Sequence, residues 1–197
     1  MKDYQYLLEL VIAGAGGLVW IIILSVDVFG VSWFYFEYAA LQNMSEGLLI
    51  GLLFIIFPFV FITGIIMDRI SDYLFDKVIN IKISKKYFDT KYEYQKAKSL
   101  IFYKSSNLKG LYEYGRMRSR VCRSWTINSL LIFLSVNYLV WMGGGIESVD
   151  MQWRISLFVS FLLLGSTIVS FLTWRNLMKK EYRFVKMEQD ILNEICD

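Results

Sequence analysis

The chain has 197 residues, of which 56% are apolar, 17% aromatic and only 20% charged. Soluble domains are about a quarter charged, so this composition indicates a lipid-embedded chain and excludes disordered and collagen-like proteins. Histidine is absent, which excludes histidine-dependent nucleases, triad hydrolases and zinc proteases. The two cysteines, Cys122 and Cys196, form neither a zinc spacing nor a disulfide framework. We therefore expect neither a cofactor nor a resident metal.

Four apolar stretches are long enough to cross a hydrocarbon core of about 30 Å, which takes about 20 helical residues. In chain order they cover residues 7–28, 47–67, 125–142 and 155–174. The third and fourth stretches are bracketed by tryptophans, as in an interfacial aromatic belt: Trp125, Trp141, Trp153 and Trp174. The sequence therefore predicts an all-α integral membrane protein with four transmembrane helices in two hairpins and a cytoplasmic helical extension.

Lysine and arginine are distributed unevenly around these stretches. Residues 68–124 contain 14 basic and six acidic residues, whereas residues 29–46 and 143–153 contain no basic residue. In all, 20 of the 21 basic residues fall on one side of the predicted spans. The positive-inside rule then predicts that both termini and the central segment lie in the cytoplasm. The predicted segments are a first hairpin (1–67), a cytoplasmic basic segment (68–124), a second hairpin (125–174) and a cytoplasmic C-terminal helix (175–197).

The first span contains a run of small residues that favours close helix packing. Ala13 and Gly17 are four residues apart and share one helix face. Small residues at this spacing let two helix backbones approach each other within lipid. We expect Ala13 and Gly17 to pack helices together, either within one subunit or between subunits.

Polar residues recur in the third and fourth spans. A hydroxyl stripe follows one face of the fourth span: Ser156, Ser160, Thr167 and Ser170. The third span adds Asn128 and Asn137. Such groups in lipid bond a neighbouring helix or line water. We interpret Ser160 and Thr167 as helix-packing residues, with a water-filled path as the alternative.

Two charged stripes flank the basic segment. Asp68, Asp72 and Asp76 recur at every fourth position where the second span ends, and Arg116, Arg120 and Arg123 share a face before the third span. Repeated aspartates can hold magnesium against a diphosphate, but the further acidic or glycine motifs of such enzymes are missing. We therefore expect the two stripes to face each other in a salt-bridged stalk. Each exposed pair would contribute about 0–1 kcal/mol, so the stalk would set geometry more than stability.

Lysines alternate with aromatic residues between the two charged stripes. Lys96, Lys98 and Lys104 are the lysines that we single out for docking. Juxtamembrane lysines bind anionic lipid headgroups, and mixtures of basic and aromatic residues also bind proteins or nucleic acid. Anionic lipid and a cytosolic protein are favoured as partners over direct nucleic-acid binding. In the C-terminal helix, Tyr182 and Val185 begin an apolar stripe that predicts a docking surface.

The arrangement of four spans, with the segments Asp68–Ser124 and Lys179–Cys196 on one side, resembles the membrane subunit of the Kiwa anti-phage system. A membrane-associated CRISPR accessory protein has a similar general layout. The resemblance to the Kiwa subunit covers the whole chain and lies in its architecture. It implies a homo-oligomer in the bacterial inner membrane, a cytosolic protein partner and a role as a membrane sensor or scaffold in anti-phage defence.

Three functions remain open from the sequence. The leading hypothesis is a non-enzymatic membrane scaffold or sensor that oligomerises and recruits a cytosolic protein. The second is an oligomeric channel or pore that acts as a membrane effector. The third, which the sequence favours least, is a magnesium-dependent enzyme acting on lipid phosphates.

Overall fold

The computed structural model describes residues 2–30, 45–104, 106–142 and 149–196. Within those ranges the chain forms helices and connecting turns, and no strand occurs. The helices are α1 (Lys2–Phe29), α2 (Glu46–Phe75), α3 (Ile81–Ser84), α4 (Lys91–Lys104), α5 (Ser106–Met142) and α6 (Val149–Cys196), with a π-helical turn at Asp76–Asn80. Most of the two outer loops predicted from the charge distribution lies outside the described residues, at 31–44 and 143–148.

The helices α1, α2, α5 and α6 are each long and apolar enough to cross a membrane. α1 packs mainly against α2, and α5 packs mainly against α6, so the two helices of each predicted hairpin are neighbours. α1 also packs along α5, which joins the two hairpins. The predicted all-α membrane fold with four spanning helices is confirmed.

α1 and α2 approach each other closely because both carry glycine at their point of contact. A Cβ atom added at Gly14 would overlap the carbonyl oxygen of Val60, and one added at Gly64 would overlap that of Leu10. Apolar side chains gain little by leaving lipid for a neighbouring helix, so close van der Waals packing has to hold the pair together. The two glycines permit that packing.

Ala13 and Gly17, the predicted packing residues, both make contacts within the subunit. A Cβ atom added at Gly17 would lie 2.6 Å from Cγ2 of Thr63 on α2. Ala13 is buried, and its carbonyl oxygen accepts a hydrogen bond from Nδ2 of Asn128 on α5, at 2.8 Å. The first span therefore uses its small residues to contact both α2 and α5.

α5 and α6 run without a break from the polar part of the chain into the spanning part, over 37 and 48 residues. The predicted segment boundaries after residues 124 and 174 therefore fall inside single helices. We call the polar part, residues 76–104, 106–124 and 175–191, the head. Because α5 and α6 are continuous, the head is built directly on two of the spanning helices.

The head and its junction with α2 contain an apolar core. Its buried members come from α2, the α3–α4 connection, α4, α5 and α6: Phe75, Phe88, Ala97, Ile101, Tyr112, Trp174, Met178, Tyr182 and Val185. Trp174 is 0% exposed, and its ring packs edge-on against Phe75 with 4.6 Å between centroids. Trp174 therefore differs from the expected interfacial tryptophan, because α6 continues past it and turns its side chain into this core.

Candidate functional site: a basic cavity in the head

Arg123 on α5 ties the head to the end of α2. Its Nη2 atom lies 3.4 Å from Oδ1 of Asp68 and also pairs with Oδ1 of Asp72. Beside this pair, the hydroxyl oxygens of Ser71 and Ser124 lie 3.3 Å apart. The Arg123 side chain is only 8% exposed. Removing one partner of a buried ion pair is strongly destabilising, because the remaining charge is left without a partner.

The other two arginines of the predicted stripe contact aromatic rings instead. The Arg120 guanidinium carbon lies 5.5 Å from the ring centroid of Tyr6, and that of Arg116 lies 6.0 Å from the ring centroid of Tyr112. Neither forms an ion pair with any carboxylate among the described residues. The side chain of Asp76 is outside the described part of the structure. In the described residues, Arg123 with Asp68 and Asp72 forms the predicted stalk.

A cavity of about 380 Å³ opens in the head beside this ion pair. The end of α2, the connection between α3 and α4, and the helices α4, α5 and α6 all contribute to its wall. Six basic side chains line it: Lys85, Lys91, Lys98, Arg116, Arg120 and Arg123. Three acidic side chains line it: Asp72, Asp89 and Glu181. The cavity is therefore basic, and four of the basic residues predicted for docking contribute to its positive charge: Lys98, Arg116, Arg120 and Arg123.

Two tyrosines and a glutamate form a hydrogen-bonded wall of the cavity. The Tyr94 hydroxyl donates to Oε1 of Glu181 at 2.6 Å, and it lies 2.9 Å from the Tyr112 hydroxyl. Burial, and then the negative charge of Glu181, raise the pKa of Tyr94 far above its ordinary value. Tyr94 therefore stays a neutral hydrogen-bond donor at every physiological pH.

Lys98 brings a half-buried ammonium group into the same cavity. Burial lowers the pKa of Lys98, and the positive charge of Arg116 lowers it further, while Glu181 opposes both effects. Its Nζ atom lies 4.6 Å from the ring centroid of Tyr112. Lys98 and Arg116 therefore bring two positive charges to the same wall of the cavity.

α4 has an inner and an outer face of different character. Ala97 and Ile101 face inward and belong to the core of the head. The outer face exposes Tyr92, Lys96, Leu100 and Tyr103, which follow one another at helical spacing. Tyr92 is 75% exposed and Tyr103 is 91% exposed. We call these four residues the α4 outer face. Lys96 thus lies on this face and Lys98 in the cavity, while the side chain of Lys104 is outside the described part.

The apolar stripe predicted on the C-terminal helix is used inside the subunit. Tyr182 and Val185 are buried in the core of the head. The Tyr182 hydroxyl donates to Oδ1 of Asn80 at 2.8 Å, and Lys186 lies 3.8 Å from Glu93 at the start of α4. α6 therefore holds the π-helical turn before α3, and the start of α4, in place.

The polar residues of the spans bond mostly within the subunit. Ser156 donates to Oδ1 of Asn137 at 2.5 Å, and Nε1 of Trp125 donates to Ser166 at 3.2 Å. Thr167 donates to the carbonyl oxygen of Leu163 one turn earlier, at 2.8 Å. Ser160, on the same stripe, is partly buried. The first two contacts join α5 to α6 in the spanning part, whereas the hydrogen bond of Thr167 stays within α6.

Sequence patterns did not indicate the aromatic and acidic wall of the cavity. Tyr94, Tyr112 and Glu181 are separated by up to 87 residues in the chain, and no periodicity links them. Within the described residues, no group of three or more histidine, cysteine, aspartate or glutamate side chains is arranged to hold a metal ion. Comparisons with protein-family models, with curated proteins and with solved structures found no significant match.

Proposed function

We propose that this chain is a non-enzymatic scaffold or sensor of the bacterial inner membrane that recruits a cytosolic protein through its head. The α4 outer face is the observation that carries the proposal. Tyr92, Leu100 and Tyr103 are exposed on it, whereas Ala97 and Ile101 on the inner face of the same helix are buried in the core. Exposed tyrosines on a rigid helix are typical anchors of protein interfaces. The distribution of basic residues supports a cytoplasmic position for the head.

The charge around this face indicates the chemistry of the partner. Lys96 lies between the two exposed tyrosines, and residues 68–124 as a whole carry 14 basic against six acidic residues. Opposite charge speeds diffusional encounter and selects among partners, while the buried aromatic contacts supply most of the affinity. The favoured partner is therefore a cytosolic protein with an acidic surface around an apolar patch.

The connection between the head and the spanning helices is compatible with a sensor function as well as with anchoring the head to the membrane. α5 and α6 pass into the spans without interruption, and Arg123 holds the end of α2 against α5. A displacement of the spanning helices would therefore be transmitted to the head. Anti-phage defence is the setting that we propose for such a sensor.

We further propose that the chain assembles into homo-oligomers. The buried residues of α2 all lie between Gly64 and Phe75, and residues 60–63 contact α1, which leaves most of residues 46–59 to face lipid or a second copy. Native mass spectrometry of the protein released from lipid nanodiscs tests this, and we expect a defined multimer. Detection of monomer alone at every protein concentration would contradict the assembly.

The docking proposal is tested by capture of the partner from cells that express the tagged chain. Lys96→Glu combined with Tyr103→Ala removes charge and aromatic surface from the α4 outer face. The matched control is Lys180→Glu with Met187→Ala, since both residues are exposed on α6 away from this face. We expect the wild type and the control to enrich the same cytosolic protein in mild detergent.

The docking variant should retain at least tenfold less of that protein, because truncating a tyrosine anchor costs about 2–4 kcal/mol. Circular dichroism should give the same helix content for all three proteins. If the docking variant captured the partner as well as the control does, the α4 outer face would not be the recruiting surface.

A further inference from the structure

The cavity in the head has the size of a small-molecule site. Its volume of about 380 Å³ falls within the roughly 300–1,000 Å³ typical of ligand pockets. Five separate chain segments contribute to its wall, so it is a feature of the folded head and not a surface groove along one helix. A polymer such as RNA or an extended peptide exceeds a cavity of this volume, whereas a single charged group with a small substituent fits.

The wall of the cavity carries more positive than negative charge. Of its six basic side chains, Arg123 is neutralised by Asp68 and Asp72. The other five form no ion pair with a carboxylate among the described residues. Of the remaining acids in the wall, Glu181 accepts the hydrogen bond of Tyr94. Asp89 is the third acid of the wall. Six basic against three acidic side chains leave an excess of positive charge, which attracts an anion.

The types of side chain indicate which anion fits. Arg116 and Arg120 each present a planar guanidinium fork, which matches two oxygens of a phosphate group. Lys98 adds a point charge, and Tyr112 adds a neutral hydroxyl to the same wall. A phosphate ester or diphosphate carries up to two or three negative charges, so one group can satisfy several of these cations. A carboxylate carries a single charge and would leave most of them unpaired.

We propose that this cavity is a binding site for a phosphate-bearing ligand, with Lys98, Arg116 and Arg120 as the groups that hold the phosphate. The buried ring of Phe88 also belongs to this wall. This site is separate from the α4 outer face, so the proposed ligand binding does not depend on whether that face recruits a protein.

Two kinds of molecule carry such a phosphate group: soluble phosphate esters and phospholipid headgroups. A soluble phosphate ester reaches the cavity from the water around the head. A phospholipid headgroup reaches it from the membrane side, because Asp72, Arg120 and Arg123 of the wall lie where the head joins α1 and α2. The experiment therefore has one arm for each source.

The first arm uses the full-length protein in nanodiscs of phosphatidylcholine alone, titrated with pyrophosphate by calorimetry. The second arm uses nanodiscs that contain phosphatidylglycerol and phosphatidic acid, followed by native mass spectrometry of the lipid that stays bound. Both arms compare the wild type with Lys98→Gln/Arg116→Gln. The matched control is Lys180→Gln/Arg183→Gln, which removes the same two charges from exposed positions of α6 outside the cavity.

Saturable pyrophosphate binding that weakens at least tenfold in the cavity variant, but not in the control, identifies a soluble phosphate ligand. Retention of anionic phospholipid by the wild type and the control, lost from the cavity variant, identifies a headgroup. If neither probe binds, or if both variants lose binding equally, the proposal is wrong. Should the double variant fail to fold, Arg120→Gln alone, with Arg183→Gln as its control, makes the same comparison.

Discussion

Removing the Arg123 side chain is the most direct perturbation of the junction between the head and the spans. In Arg123→Met the side chain keeps much of its length, but Asp68 and Asp72 lose their cation. The Asp68 side chain is 12% exposed and the Asp72 side chain is 37% exposed. Asp72 can therefore regain water when its partner is lost, whereas Asp68 stays buried without compensation.

Removing one partner of a buried ion pair typically costs about 3–5 kcal/mol in the free energy of unfolding. Because one of the two acids is partly exposed, we expect the lower end of that range, about 3 kcal/mol. The control is Arg118→Met, since Arg118 is exposed on the same helix and only contacts the ring of Tyr114, at 5.8 Å. Losing such an exposed cation–π contact costs about 0.5–1 kcal/mol.

The assay is reversible unfolding by SDS in mixed micelles, followed by circular dichroism. A further variant, Asp68→Asn in the Arg123→Met background, removes the stranded charge and should recover part of the lost stability. The reasoning would be refuted if Arg123→Met cost no more than Arg118→Met, or if Asp68→Asn destabilised the Arg123→Met protein further.

Three other outcomes are expected. Gly64→Ala should destabilise the packed helices by about 1–3 kcal/mol in the same assay, because the added Cβ atom overlaps the backbone of α1. Gly51→Ala is the control and should be neutral, because a Cβ atom at Gly51 meets no atom of the described residues within 4 Å. A cysteine placed at Ser45 should react with an impermeant maleimide added to intact cells, and labelling only after lysis would reverse the proposed topology. Ser160→Val with Thr167→Val should leave partner capture near normal, whereas a loss of ion flux in liposomes together with a loss of function would favour the pore.

The spanning part could be predicted well because lipid imposes a simple pattern on the sequence. A span needs about 20 apolar residues, and no other element produces that pattern. The packing role of Gly17 followed from the same environment. The packing role of Gly64 on α2 could not be predicted in this way. A single glycine forms no recurring pattern in the sequence, and its role depends on where α1 crosses α2.

The head was harder to predict because water allows more arrangements than lipid does. The spacing of Asp68, Asp72 and Arg123 indicated that acids and arginines would meet, and they do. Which arginine would pair depended on the crossing of α2 and α5, so Arg116 and Arg120 were assigned to a stalk and instead line the cavity. The position of Trp174 could not be predicted for a similar reason. The sequence around a tryptophan at the end of a span does not indicate whether the helix ends there or continues into a folded core.

The unbroken course of α6 makes it a lever. Residues 175–196 continue the helix for about 33 Å beyond Trp174, at about 1.5 Å per residue. A spanning helix adjusts its tilt when the hydrocarbon layer becomes thinner or thicker. A tilt change of about 10° in such a rod moves its far end by about 6 Å, which is more than one helical turn. A change in bilayer thickness would in this way displace α4, which packs against α6.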